Sequence, residues 1–128
     1  MERRIVFSGN PYEGIWGHSR AVRVGDHISV SGTAPIPADG SDPPGDAYGQ
    51  TRLCLQIIVK ALADAGARAE DVVRTRVYGT SADLFDDVAR AHREVFGEIH
   101  PASAFVVIKE LANPAWLVEI EADAIASA

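Results

Sequence analysis

Cysteine is almost missing from the 128-residue chain: Cys54 stands alone, so no intramolecular disulfide, Cys-based zinc site or ordinary iron–sulfur cluster can form. A lone thiol fits a reducing, cytoplasmic setting, and its place between Leu53 and Leu55 in a helical pattern marks it as buried and inert. Positive charge is also short, with 12 Lys and Arg against 18 Asp and Glu and a net charge of −6. That is the wrong sign for a phosphate backbone, and no nucleic-acid partner is expected. No apolar run approaches the roughly 20 residues that span a bilayer. Only Ile5, Val6 and Phe7 follow the first basic residues before Ser8-Gly9-Asn10-Pro11, so no signal-peptide core is expected and no membrane partner. The histidines, His18, His27, His92 and His100, form neither an HxH pair nor an HExxH motif, and no metal is expected. GxSxG, P-loop and dinucleotide motifs, internal repeats and coiled-coil heptads are all lacking.

What is there reads as one globular domain over 1–128, with 47% apolar and 23% charged residues and a mean hydropathy of +0.01. Ala21–Val24 and Ile28–Ser31 are β-favouring runs around Gly25-Asp26, a hairpin turn. The Pro- and Asp-rich stretch from Pro35 to Asp46 predicts an exposed loop. Asp46 then caps a helix with Thr51, Leu55, Ile58, Leu62 and Ala65 on one stripe, widened by Cys54 and Ala61 and ended by Gly66. Asp71–Thr80 reads as a strand. Ser81 or Asp83 caps a second helix with Leu84, Val88, Ala91 and Val95 on its apolar stripe, closed by Gly97. Ser103–Ile108 and Trp116–Ala126 are the last strands.

This order predicts an α+β fold: a mixed six-stranded sheet with two helices packed on one face. Along the last strand Val118, Ile120, Ala122 and Ala124 share one side, and Glu119, Glu121 and Asp123 the other. Ser103–Ile108 is apolar on both sides and wants cover on both, so the helix-free face is expected to bury against other copies of the chain. The three acids repel one another unless partnered. Arg74 and Arg76, two apart in a strand, are natural cross-strand partners for at least two of them. The alternative use is a carboxylate partly desolvated at the oligomer seam, whose raised pKa lets it pass a proton.

Four fragments in this order, Val24–Gly32, Asp71–Tyr78, His100-Pro101-Ala102 and Val118–Ala122, resemble the Rid/YjgF family of reactive intermediate deaminases, once described as translation-inhibiting endoribonucleases. The resemblance runs from about Gly17 to Ala126. It implies a chorismate-mutase-like fold assembled as a homotrimer, with small-molecule clefts between subunits and no cofactor. Active members hydrolyse enamines and imines to the carbonyl compound and ammonia. The resemblance assigns the acid/base glutamate to Glu121, and it matches the family's first-strand tyrosine and hairpin serine to His18 and Ser31. The family arginine that grips a substrate carboxylate is replaced by Ser103, which cannot offer a bidentate fork. Phe105 and Val107 stand where the family often has a cysteine and a glutamate, making the cleft more apolar. Phe96, Trp116 and Pro114 are expected to wall it.

The functional expectation is a cofactor-independent hydrolase or deaminase acting on a small imine, enamine or related carbonyl compound, with a specificity changed by Ser103. Two alternatives stay open: a trimer that binds a small molecule without turning it over, and a tailoring enzyme for a larger apolar substrate. Endoribonuclease activity ranks last, because an acidic chain has no basic stripe for RNA.

Overall fold

In a computed structural model of the chain, which describes residues 1–127, nine helices and strands follow in the order β1 (Arg3–Val6), α1 (Pro11–Trp16), β2 (Ala21–Val24), β3 (His27–Thr33), α2 (Ala47–Asp64), β4 (Val72–Gly79), α3 (Phe85–Phe96), β5 (Ala102–Val107) and β6 (Val118–Ile125). The strands form one mixed sheet in the order β1-β2-β3-β6-β4-β5, in which only β4 and β5 run parallel. Helix α3 is the crossover between that parallel pair, and β6 is inserted at the sheet's centre.

The long helices α2 and α3 cover one face, as the apolar stripes predict. Ile28, Val30, Leu55, Ile58, Leu62, Val77, Val88, Val118 and Ile120 meet between helices and sheet. Helix α2 begins at Asp46, whose side chain accepts from the Gly49 amide. It ends with Gly66 at φ 82° and paired bonds from Ala67 N to Leu62 O and Gly66 N to Ala63 O, a Schellman motif. Before α3, Ser81 caps a short 3-10 turn, Ala82–Leu84, that runs into the helix.

The structure corrects the helix count, because α1 is a third, short helix. Asn10 caps it through the Tyr12 amide, Pro11 opens it and Gly17 at φ 85° ends it. The sixth strand is β1, which pairs with β2 at a sheet edge. Strand β5 is the other edge, and with Val106 at 40% and Val107 at 51% exposure it lacks within one chain the cover its composition asks for. The last strand starts at Val118, with Trp116 buried just ahead of it. Pro35 is likewise buried at the start of the otherwise mostly exposed loop.

Candidate functional site

Sheet parity sorts the candidate residues onto two faces. On β6, Glu119, Glu121 and Asp123 point away from the helices, as their spacing predicts. Register places Glu121 opposite Arg76 and Glu119 opposite Tyr78. Arg76 Nη1 lies 3.0 Å from Glu121 Oε1 and 3.9 Å from Asp123 Oδ2, and the Tyr78 hydroxyl donates to Glu121 Oε1 at 3.0 Å. Burial and this carboxylate neighbour raise the Tyr78 pKa. Asp123 also accepts from Ser29 Oγ at 3.2 Å, with His27 alongside. Glu121 and Asp123 thus form the expected ladder, through Arg76; Arg74 makes no ion pair among the described residues.

Glu119 sits in a different environment. Its Oε2 approaches Gly32, where an added Cβ would lie 3.1 Å from it. At that point β3 bulges: between Val30, paired with Ala122, and Thr33, paired with Ile120, two residues of β3 face Glu121 alone. The extra residue re-aims the chain around Ser31 and Gly32. Burial pushes the Glu119 pKa up, with Glu121 adding to the rise and Arg20 and His18 opposing it. Arg20 is buried, its Nη2 donates to Gly32 O at 2.6 Å, and burial lowers its pKa against the pull of Glu13 and Glu119. His18 Nδ1 and Arg20 Nε are buried without a hydrogen-bond partner among the described residues, and Ser31 Oγ donates to Ser19 O at 2.6 Å. Ser31 and Glu119 therefore share one end of the helix-free face, with His18 close to Glu119. The partly desolvated carboxylate among the three acids is Glu119; Glu121 is the salt-bridged one.

Ser103 and Phe105 lie on the opposite, helix-covered face. Parallel pairing sets Ser103 beside Thr75 and Phe105 beside Val77. A cleft of about 290 Å³ opens there between α3 and β5, lined by Val77, Phe85, Val88, His92, Ser103 and Phe105 among others. The Phe105 ring stands edge-on to Phe85 at 5.7 Å. Ser103 Oγ is 2.7 Å from Thr75 Oγ1, which is 2.8 Å from His92 Nε2. Burial lowers the His92 pKa.

Phe96 and Trp116 do not line this cleft. Phe96 is buried in the core beneath the His92 ring, 4.8 Å between centroids, and Trp116 is buried edge-on to Tyr12 of α1. Pro114 is exposed. Sequence reasoning missed Thr75 and His92 as partners of Ser103; a threonine at the same parity as Val77, two residues before it, was the readable signal, and its pairing with β5 was not. Cys54 is buried and its thiol pKa is pushed up, an inert group as expected. A larger groove of about 530 Å³ beside the end of α3, near Glu70, Glu94 and Glu98, gathers no such constellation. Among the described residues no cluster of three or more potential ligands could hold a metal, and no helix is long and apolar enough to cross a membrane.

Comparison with known proteins follows the same lines. The family model described as endoribonuclease L-PSP matches residues 10–126. A Mycobacterium tuberculosis member of the YjgF/YER057c/UK114 family has a crystal structure superposing with a TM-score of 0.89 at 41% identity, covering 97% of this chain and 99% of the other. An uncharacterised Streptomyces coelicolor protein is 36% identical over 121 residues, 94% of this chain and 90% of the relative. The Escherichia coli protein TdcF, described as a putative reactive intermediate deaminase, is 25% identical over 129 residues, 98% of this chain and 99% of the relative. With one family model spanning nearly the whole sequence, and relatives matched over nearly their full length, the chain belongs to the Rid/YjgF family.

Proposed function

We propose that the protein is a cofactor-independent hydrolase of small imines or enamines, working in clefts between neighbouring copies of a homotrimer. The observation that carries this reading is the split of the candidate residues. Glu119 and Ser31 lie on the helix-free face, with His18 near Glu119, and Ser103 and Phe105 lie on the helix-covered face of the same sheet. A sheet is impassable to a small ligand, so both groups reach one molecule only across two chains. The exposed apolar side chains Phe7, Ile15, Trp16, Val106 and Val107 support the same assembly. TdcF's description as a reactive intermediate deaminase and its crystal structure with bound serine fit a small, amino-acid-sized ligand in the family.

In this reading Glu119 is the acid/base. As carboxylate it takes a proton from water while the oxygen adds to the imine carbon, giving a carbinolamine. As acid it returns that proton to the nitrogen, which completes the neutral carbinolamine; it then takes the hydroxyl proton and passes it to the amino group, so that the C–N bond breaks, ammonia leaves and the carbonyl compound remains. A pKa raised by burial suits a group that must both take and give a proton near neutrality. Glu121, held by Arg76 and Tyr78, orders the face beside it. Ser103 provides one hydroxyl rather than a guanidinium fork, so uncharged or aromatic imines suit the cleft better than imino acids. The net charge of −6 and three acids on this face argue against RNA as substrate.

The test is ammonia and carbonyl release from freshly generated carboxylated, uncharged and aromatic imines. Glu119→Gln should lose turnover by about 100-fold or more, while Glu121→Gln stays within about tenfold of the parent. The reverse ranking would return the acid/base role to Glu121. Ser103→Arg should gain activity on 2-iminopropionate. Silence of the parent across the panel, with ligands bound and recovered unchanged, would make the cleft a binding site instead.

A further inference from the structure

Thr75 is fully buried, and its hydroxyl touches both Ser103 Oγ, at 2.7 Å, and His92 Nε2, at 2.8 Å. A hydroxyl has a single proton. Without access to water, Thr75 keeps its own proton paired only by donating to one neighbour and accepting from the other, which leaves two fully bonded arrangements. When His92 Nε2 carries no proton, Thr75 donates to it and accepts from Ser103, whose own proton is then committed inward. Ser103 presents lone pairs to the cleft. When Nε2 carries a proton, the bonds run the other way: His92 donates to Thr75, Thr75 donates to Ser103, and the Ser103 proton is free to point at a ligand. An imidazolium, protonated on both nitrogens, permits only this second arrangement.

We propose that His92 is a positioning residue which, through Thr75, sets whether Ser103 accepts or donates a hydrogen bond in the cleft. The site then selects neutral ligands with an apolar or aromatic body and one hydrogen-bonding group, held as an N–H or O–H donor in one state and as a carbonyl or imine acceptor in the other. This rests on the reading above that ligands occupy the cleft beside Ser103. The walls fit such a body: Val77, Val88, Phe85 and Phe105 are apolar, and the last two offer ring edges. The residues facing His92 from β4 and β5, Thr75, Val77, Ser103 and Phe105, carry no charge. Among the described residues, Arg93, next to it on α3, is the only other ionisable side chain lining the cleft. Burial holds the imidazole neutral to lower pH than usual, so, with the neutral ring protonated on Nδ1, the change of state falls on the acid side of the ordinary histidine range.

Two neutral probes separate the states: acetophenone, which only accepts, and pyrrole, whose N–H only donates. Binding to the full-length protein is followed by NMR titration across the His92 transition, with the imidazole nitrogen shifts reporting tautomer and charge. As pH falls through that transition, acetophenone should bind about 2- to 10-fold more tightly and pyrrole weaker by a similar factor, the worth of one hydrogen bond. Both trends should vanish in Thr75→Val, which breaks the relay at constant shape. They should also vanish in His92→Phe, which keeps the ring on Phe96 should the buried Thr75 variant fail to fold. Affinities flat with pH, moving in the same direction, or unchanged in profile in either variant would overturn the relay, as would failure of both probes to bind. Imine turnover is scored separately. A flat profile in an active hydrolase rejects the relay alone, and opposite trends in a protein silent on imines uphold the relay and reject the hydrolase.

Discussion

Gly79 shows how one missing side chain shapes the cleft. A Cβ built there would lie 2.7 Å from Phe105 Cζ and 2.8 Å from Cε1, closer than carbon atoms approach. The backbone of Gly79 is not left-handed, so the constraint is space and not conformation. Gly79→Ala should drive the Phe105 ring toward Phe85 and cost about 1–3 kcal/mol, the usual penalty of overpacking. In a Phe105→Leu background most of that cost should disappear, a coupling that a double-mutant cycle of urea denaturation reads directly. Additive effects would mean that the ring is not what Gly79 accommodates. Glu119 carries a second prediction. Its folded-state pKa is raised, so between the unfolded pKa and that value the native state binds more protons, and stability falls as pH rises through the window. Glu119→Gln removes the charge, so its melting temperature should gain on the parent's as pH climbs from acid to neutral. A constant difference would place Glu119 in a solvated setting. The acidic parity of β6 was legible in the sequence. Which acid is desolvated was not, because the β3 bulge at Gly32 decides it from almost ninety residues away.

Elements with long apolar stripes or tight turn chemistry were legible: α2, the hairpin at Gly25 and the alternation of β6 fold where their patterns place them. Helix α1 was not, since six residues are too few for a periodic stripe, although Asn10-Pro11 and Gly17 mark both of its ends. The tie between α2 and the approach to β6 was equally hidden. Gln50, 2% exposed, donates from Nε2 to Pro44 O and Ala115 O and accepts from Leu117 N. A buried polar residue on a helix reads from sequence as an exposed one, because its partners arrive from distant segments. Gln50→Leu keeps the volume and strands three backbone groups, each costing about 1–3 kcal/mol if nothing replaces its partner. The expected result is a loss of several kcal/mol in urea denaturation. It should come with earlier hydrogen exchange at Leu117, whose amide Gln50 holds. A change under 1 kcal/mol would show that water takes over these bonds.

At the scale of the whole molecule, a sheet covered on one side leaves β5 as an edge with apolar side chains in the open. Parallel pairing puts Ala102, Ala104 and Val106 beside Arg74, Arg76 and Tyr78 on the helix-free face, a row of small residues that lets another backbone approach closely. Within one chain, a polar residue in place of half-exposed Val106 touches nothing specific and should shift stability by no more than about 0.5 kcal/mol. Against a neighbouring copy the same residue would bury an unpaired charge, which an interface tolerates poorly. Val106→Glu therefore separates a self-sufficient protomer from an assembly. Sedimentation velocity should show a trimer for the parent and a smaller species for the variant, with the far-ultraviolet circular dichroism of the two unchanged. If the proposed intersubunit cleft is the site, imine turnover should fall with the trimer, because Glu119 and Ser103 would then meet only across the seam. A variant that dissociates yet keeps its activity would show that each chain works with one face of its sheet alone, and a monomeric parent would remove the seam altogether.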